Sequence, residues 1–135
     1  MKWLILIGDA NFGMDTIKSI NHYGSVASYD VVEIDGRYCV DFGEDHIFYD
    51  EDSNISDYEE DLKLVPFTNP KILIMLFTSK ECAKKILMQD NFPQDIYIDN
   101  DFGIITSIRN FISLGMPLDE DDMRCITWQY KHLEN

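Results

Sequence analysis

"KILIMLFTSKECAKKIL", residues 71–87, decides how the fold is read. Ile72–Phe77 is apolar at every position, the pattern of a strand buried on both faces, as strands of parallel sheets are. "TSKE" then offers a capping box, with Thr78 bonding the amide of Glu81 and Glu81 reaching back. Cys82, Ala83, Ile86 and Leu87 follow on one face of a helix.

The same order recurs twice. In "MKWLILIGDANFG", Trp3–Ile7 leads through a turn at Asp9 to Gly13 into Met14, Ile17 and Ile20, with Gly24 as a stop. Ile96–Ile98 leads into "DNDFGIITSIRNFISLGMP". Here Asn100 or Asp101 is the expected N-cap, Ile104, Ile105, Ile108, Phe111 and Ile112 form the stripe, and Gly115 and Pro117 close the helix. Three strand–helix units predict an α/β domain with a central mixed, partly parallel sheet and helices packed on it.

Between the first two units the pattern changes. "YDVVEIDGRYCVDF", residues 29–42, holds Asp35-Gly36 between β-rich runs, a hairpin signal in which both turn residues take positive φ. "HIFY" supplies a further strand, so an antiparallel meander is expected, inserted into the sheet or at its edge. Residues 50–61 read as an acidic loop or short helix. In "DEDDMRCITWQYKHLEN" Met123, Ile126 and Tyr130 suit a helix whose acidic start complements the helix dipole, whereas Cys125, Thr127 and Gln129 alternating with Ile126, Trp128 and Tyr130 suit a strand; the helix is the preferred reading.

The chain has 135 residues, 45% apolar and 13% aromatic, enough for one domain spanning 1–135 with a packed core. A formal charge of −14 repels phosphate and excludes nucleic acid as a direct ligand. Cys39, Cys82 and Cys125 are three, widely spaced and without a CxxC pair, which fits a reduced cytoplasmic protein. The apolar run near Met1 is too short for a secretory h-region or a membrane span, so no membrane association is expected.

The acids concentrate in "DFGEDHIFYDEDSNISDYEED", residues 41–61, ten carboxylates with no lysine or arginine. Asp50 to Asp61 approximates a calcium loop, but Ile55 stands where the sharp turn needs glycine and Asp61 where a bidentate glutamate is needed. If the strands were parallel, Asp9, Thr78, Ser79, Asp99 and Asp101 would gather at their carboxyl ends. Asp9, Asp99 and Asp101 could there hold Mg²⁺ for phosphoryl or phosphodiester hydrolysis. Capping and turn roles explain the same aspartates, and no phosphate-cradling glycine motif is present. His22, His46 and His132 show no ligand or triad spacing. No catalytic residue, metal site or cofactor is therefore expected.

Crowded like charges repel, and a basic protein surface relieves the repulsion while speeding encounter. The expected partner-binding residues are Asp41, Glu44, Asp45, Asp50, Glu51, Asp52, Asp57, Tyr58, Glu59, Glu60 and Asp61. Phe42, Phe48 and Tyr49 are interleaved among them; Trp3 and Trp128 are expected in the core or at its edge, and Trp128, if exposed beside "DEDD", could serve as an interface anchor.

By these two acidic stretches and the absence of a catalytic motif, the chain resembles the bacterial immunity proteins that neutralise toxic nuclease domains, including those of contact-dependent inhibition systems. The resemblance implies a cytoplasmic antitoxin that occludes a cognate basic toxin, with carboxylates from Asp41 to Asp61 standing in for phosphates. The alternative expectation is the Mg²⁺-dependent hydrolase built on Asp9, Asp99 and Asp101.

Overall fold

The structure, a computed structural model, describes residues 1–52 and 58–133, with side chains as far as Ile126. In chain order the elements are β1 (Lys2–Gly8), α1 (Met14–Lys18), β2 (Ala27–Asp30), β3 (Arg37–Asp41), β4 (His46–Glu51) and α2 (Glu59–Leu62). They continue with β5 (Lys71–Phe77), α3 (Lys80–Met88), β6 (Tyr97–Asp99), β7 (Ile105–Ser107), α4 (Ile108–Ser113) and α5 (Glu120–Leu133). The strands form one sheet in the order β2-β3-β4-β5-β1-β6-β7.

Every neighbouring pair among the described residues is antiparallel, which overturns the expected mixed, partly parallel sheet. The apolar runs were strands, but they encode burial on two faces and not strand direction. β1 sits between β5 and β6 and opposes both, with Leu6 opposite Leu73 on one side and Ile98 on the other. β5 and β6 therefore do run the same way, joined by α3, but with β1 inserted between them. The strand–helix–strand rhythm was real, and the neighbour relation inferred from it was not.

Two covers make the two-sided burial. On the first face Leu4, Leu6, Val40, Ile47, Tyr49, Leu73, Met75, Phe77 and Ile98 pack against Ile17 of α1, Ala83, Ile86 and Leu87 of α3, and Ile108 and Phe111 of α4. On the second face Ile5, Ile7 and Ile72 lie under a strap, residues 58–67, that brings Tyr58, Leu62, Val65 and Phe67 onto them. The edge meander β2–β3–β4 is present as expected. Its turn is longer than a tight Asp-Gly hairpin: Gly36 has φ 78° while Asp35 does not adopt positive φ. A hydrogen bond from the Val31 amide to the Arg37 carbonyl, 2.9 Å, closes the loop.

Local caps also differ by a residue or more. Ser79, not Thr78, caps α3, its hydroxyl accepting from the Cys82 amide at 3.3 Å. Thr78 instead accepts from the His46 amide and ties β5 to β4. The expected helix after Asn100 is replaced by a turn and β7. The Asn100 carboxamide oxygen accepts from the amides of Phe102 and Ile104, and its Nδ2 donates to the Pro117 carbonyl. The helix begins one strand later, capped by Ser107, and ends as expected. Gly115 (φ 87°) donates to the Ile112 carbonyl and Met116 to that of Phe111, a Schellman stop.

Candidate functional site

The strap covers the second face only over β1, β6 and β7 and the top of β5. Toward β2 this face is half-open. Register places Trp3, Leu76, Phe48, Cys39 and Tyr29 opposite one another in a single row across five strands. Trp3 and Tyr29, at the two ends of the row, are 46% and 49% exposed, while Phe48 and Leu76 are half-buried. Pleating aligns them because residues two apart along a strand share a face.

Beside this row lies Ile5–Ile74–Asp50–Arg37. Arg37 Nε and a terminal guanidinium nitrogen donate to Asp50 Oδ1 and Oδ2, each at 2.7 Å, a planar two-pronged contact. The guanidinium carbon stands 5.4 Å from the Phe48 ring centre. On the other side, His46 stacks on Phe48 with ring centres 6.0 Å apart and 9° between planes. His46 Nε2 is 3.4 Å from Asp41 Oδ1, which also accepts from the Gly43 amide at 2.7 Å. Phe48 is thus clasped between two acid–base pairs.

The expected partner-binding carboxylates do not form one dense patch. Asp41, Glu44 and Asp45 sit at the end of the β3–β4 hairpin, where Asp45 Oδ1 accepts from the Thr78 hydroxyl at 3.4 Å. Asp50, Glu51 and Asp52 lie at the opposite end of β4, Asp52 accepting from the Tyr58 hydroxyl at 2.9 Å. Glu59, Glu60 and Asp61 are on α2, flanking the open half, with Glu60 bridging to Lys63 at 3.2 Å. Asp57 and the side chain of Trp128 lie outside the described residues. Phe42 is half-buried against the first-face core and Tyr49 is fully buried, so neither belongs to the row on the second face.

The aspartates of the hydrolase alternative are not brought together. β6 opposes β1 with Asp99 opposite Ile5, so Asp9 projects beyond the other end of the sheet from Asp101. At about 3.3 Å per residue Asp9 lies roughly 13 Å along the strand from Asp99. Asp9 caps a turn by accepting from the Asn11 amide, and Asp99 Oδ1 accepts from the Asp101 amide. Among the described residues no group of three or more His, Cys, Asp or Glu is placed to hold a metal ion. Asp99 has a different distinction. Burial under the strap, with the neighbouring charges of Asp61 and Asp101, raises its carboxyl to about 6 despite the Asp101 amide.

Two further clusters carry polar chemistry that spacing did not reveal. His22 Nε2 and the Tyr49 hydroxyl meet at 2.8 Å inside the core. The Nδ1 of His22 faces only the Ile20 carbonyl, so it carries the proton and Nε2 accepts from Tyr49. Burial holds the imidazole below its usual range and the Tyr49 phenol well above its own. At the start of α5, Asp119 accepts from the Asp122 amide and from Lys80 Nζ, each at 2.9 Å, and bridges to Lys2 at 3.3 Å. The amide, then Lys80, hold its carboxyl far below the carboxylate range. "DEDD" is therefore partly a cap and an ion-pair centre.

Among the described residues, no helix is long and apolar enough to cross a membrane. In comparisons with known proteins, no family model, no curated protein and no solved structure matches the chain.

Proposed function

We propose that this chain is a binding protein that docks a basic protein on the half-open second face and blocks that protein's site, in the manner of an immunity protein against a toxic nuclease. The observation that carries the reading is the row Trp3–Leu76–Phe48–Cys39–Tyr29 on the half-open face, in which Trp3 and Tyr29 are exposed, Leu76 and Phe48 half-buried and Cys39 buried. Trp and Tyr at the ends of such a row give large contact area at low entropic cost, as interface anchors do.

The carboxylates then have a role distinct from contact. Glu44 and Asp45 at one end of the face, Asp52 at the other, and Glu59 to Asp61 along its flank surround the aromatic row with negative potential. Such a surround steers a cationic partner and rejects anionic ones, while the uncharged centre supplies affinity. Within the face itself Arg37 offsets Asp50, so that carboxylate would not be left unpaired on docking.

The test is a titration of the chain against candidate basic nuclease domains, at low and high salt. A one-to-one complex that inhibits cleavage, with an association rate that falls steeply with salt, is expected. Replacing the exposed Glu44, Glu59 and Glu60 by glutamine should slow association by about tenfold and flatten its salt dependence. A chain that forms no complex, or one indifferent to both salt and these substitutions, defeats the reading.

A further inference from the structure

We infer that the free edge of β2 pairs with β2 of a second copy of this chain, antiparallel, with Tyr29 of one copy opposite Tyr29 of the other. β2 is the last strand of the sheet and all four of its residues are exposed. The Val31–Arg37 hydrogen bond sets the phase of the β2–β3 ladder: Ala27, Tyr29 and Val31 bond inward, and the amides and carbonyls of Ser28 and Asp30 point outward. An edge of this kind is a template for another strand unless proline, an outward lysine or a cover blunts it. β2 has neither proline nor lysine, and its one charge, Asp30, is held by Lys18 at 2.8 Å.

The surface around this edge says which occupant fits. Of the ten large apolar side chains left exposed among the described residues, five lie between 23 and 34: Tyr23, Val26, Tyr29, Val32 and Ile34. Val26 is 72% exposed and Val32 95%. Residues 19–29 contain no Asp, Glu, Lys or Arg, in a chain of net charge −14. A cationic segment finds little to hold there. Two copies of so acidic a chain, by contrast, meet least repulsion where charge is absent.

The pairing is self-complementary, as a two-fold interface must be. With Tyr29 on the axis, outward groups of Ser28 in one copy meet those of Asp30 in the other, twice over, and each Asp30 brings its own Lys18. Val26 of one copy lies toward Val32 of the other. The row on the second face then runs unbroken from one Trp3 through both Tyr29 residues to the other Trp3. The interface uses the β2 edge, shares only Tyr29 with the proposed docking face, and stands without that reading.

Sedimentation velocity on the full chain across a wide concentration range, at about 0.05 M and about 0.5 M NaCl, tests the pairing. A monomer–dimer equilibrium that tightens with salt is expected, because screening removes the repulsion between two anions. Ser28→Pro deletes only an outward amide, and Val32→Glu adds a charge at an exposed position; each should weaken the dimer at least ~10-fold. Met88→Lys, on the opposite side of the sheet from the row, should leave it intact. If circular dichroism shows that Ser28→Pro fails to fold, Val32→Glu decides. A chain monomeric at every concentration and salt, or a dimer that Val32→Glu leaves unchanged, overturns the inference. So does a monomeric chain whose β2 edge instead accepts a strand from a basic domain.

Discussion

Arg37 reaches across one strand pair to grip Asp50 with two hydrogen bonds of 2.7 Å, while its guanidinium lies over Phe48. The two residues are 13 apart in sequence, and the cation comes from outside the acidic stretch it neutralises. The pair is partly shielded, with side-chain exposures of 18% and 24%. Arg37→Met should strand Asp50 and destabilise the fold by about 1–2 kcal/mol, measured by urea unfolding. The double variant Arg37→Met/Asp50→Leu should recover part of that loss. A single variant with unchanged midpoint would show the pair to be ornamental.

Asp99 should make the protein less stable as the pH rises. Its folded carboxyl titrates near 6, above the usual carboxylate value, so the folded state holds a proton that the unfolded chain releases first. The contribution is full below about pH 4 and is lost by about pH 6. Asp99→Asn should stabilise the protein at pH 7 by about 1–2 kcal/mol and flatten the melting temperature between pH 4 and 7, because an amide carries no charge beneath the strap. Equal pH profiles for wild type and variant would contradict this.

His22 acts in the opposite sense. Burial lowers its imidazole below 6.5, so the folded state binds fewer protons than the unfolded chain. That stability is complete above the usual imidazole range and is lost as pH falls through it toward the lower folded value. Tyr49→Phe removes the donor to Nε2 and leaves a buried acceptor bare, at a cost of about 1–3 kcal/mol. In a ring-proton NMR titration, His22 should stay neutral to lower pH than a model imidazole. A normal titration curve would rule out the buried pair.

Asp119→Ala removes a helix cap and two cation contacts at once. Loss of the Asp122 amide bond alone should cost about 1 kcal/mol, and fraying of α5 should appear as faster amide exchange in its first turn. Asp119→Asn keeps the cap but not the ion pairs and should fall between the two.

The positions of β1, β5, β6 and α3 were legible because a run such as Ile72–Phe77 or the Cys82–Leu87 face has one obvious solution, whereas the pattern of the segment that forms α5 fitted a strand as well as a helix. Strand direction was not legible. Ile5 and Ile72 are buried on the second face by a strap from residues 58–67, a cover whose irregular sequence gives no sign of its destination. Asn100 and Thr78 looked like caps because a polar residue after a strand does the same chemistry in a turn or a strand tie. The binding face was partly legible. Alternation places Phe48 and Asp50 on one side of β4, but Trp3 joins them only through the order β4-β5-β1, which no local pattern encodes.

The docking claim is tested most directly by adding one lysine to each face and measuring affinity for the basic domain. Trp3→Lys places the charge in the aromatic row, and Met88→Lys places it at the exposed end of α3, on the opposite side of the sheet. Both variants lose the same unit of net negative charge, so long-range steering falls equally. The account predicts that Trp3→Lys weakens binding by about 100-fold, while Met88→Lys stays within about threefold of wild type. Equal losses from the two substitutions, or a greater loss from Met88→Lys, would contradict it.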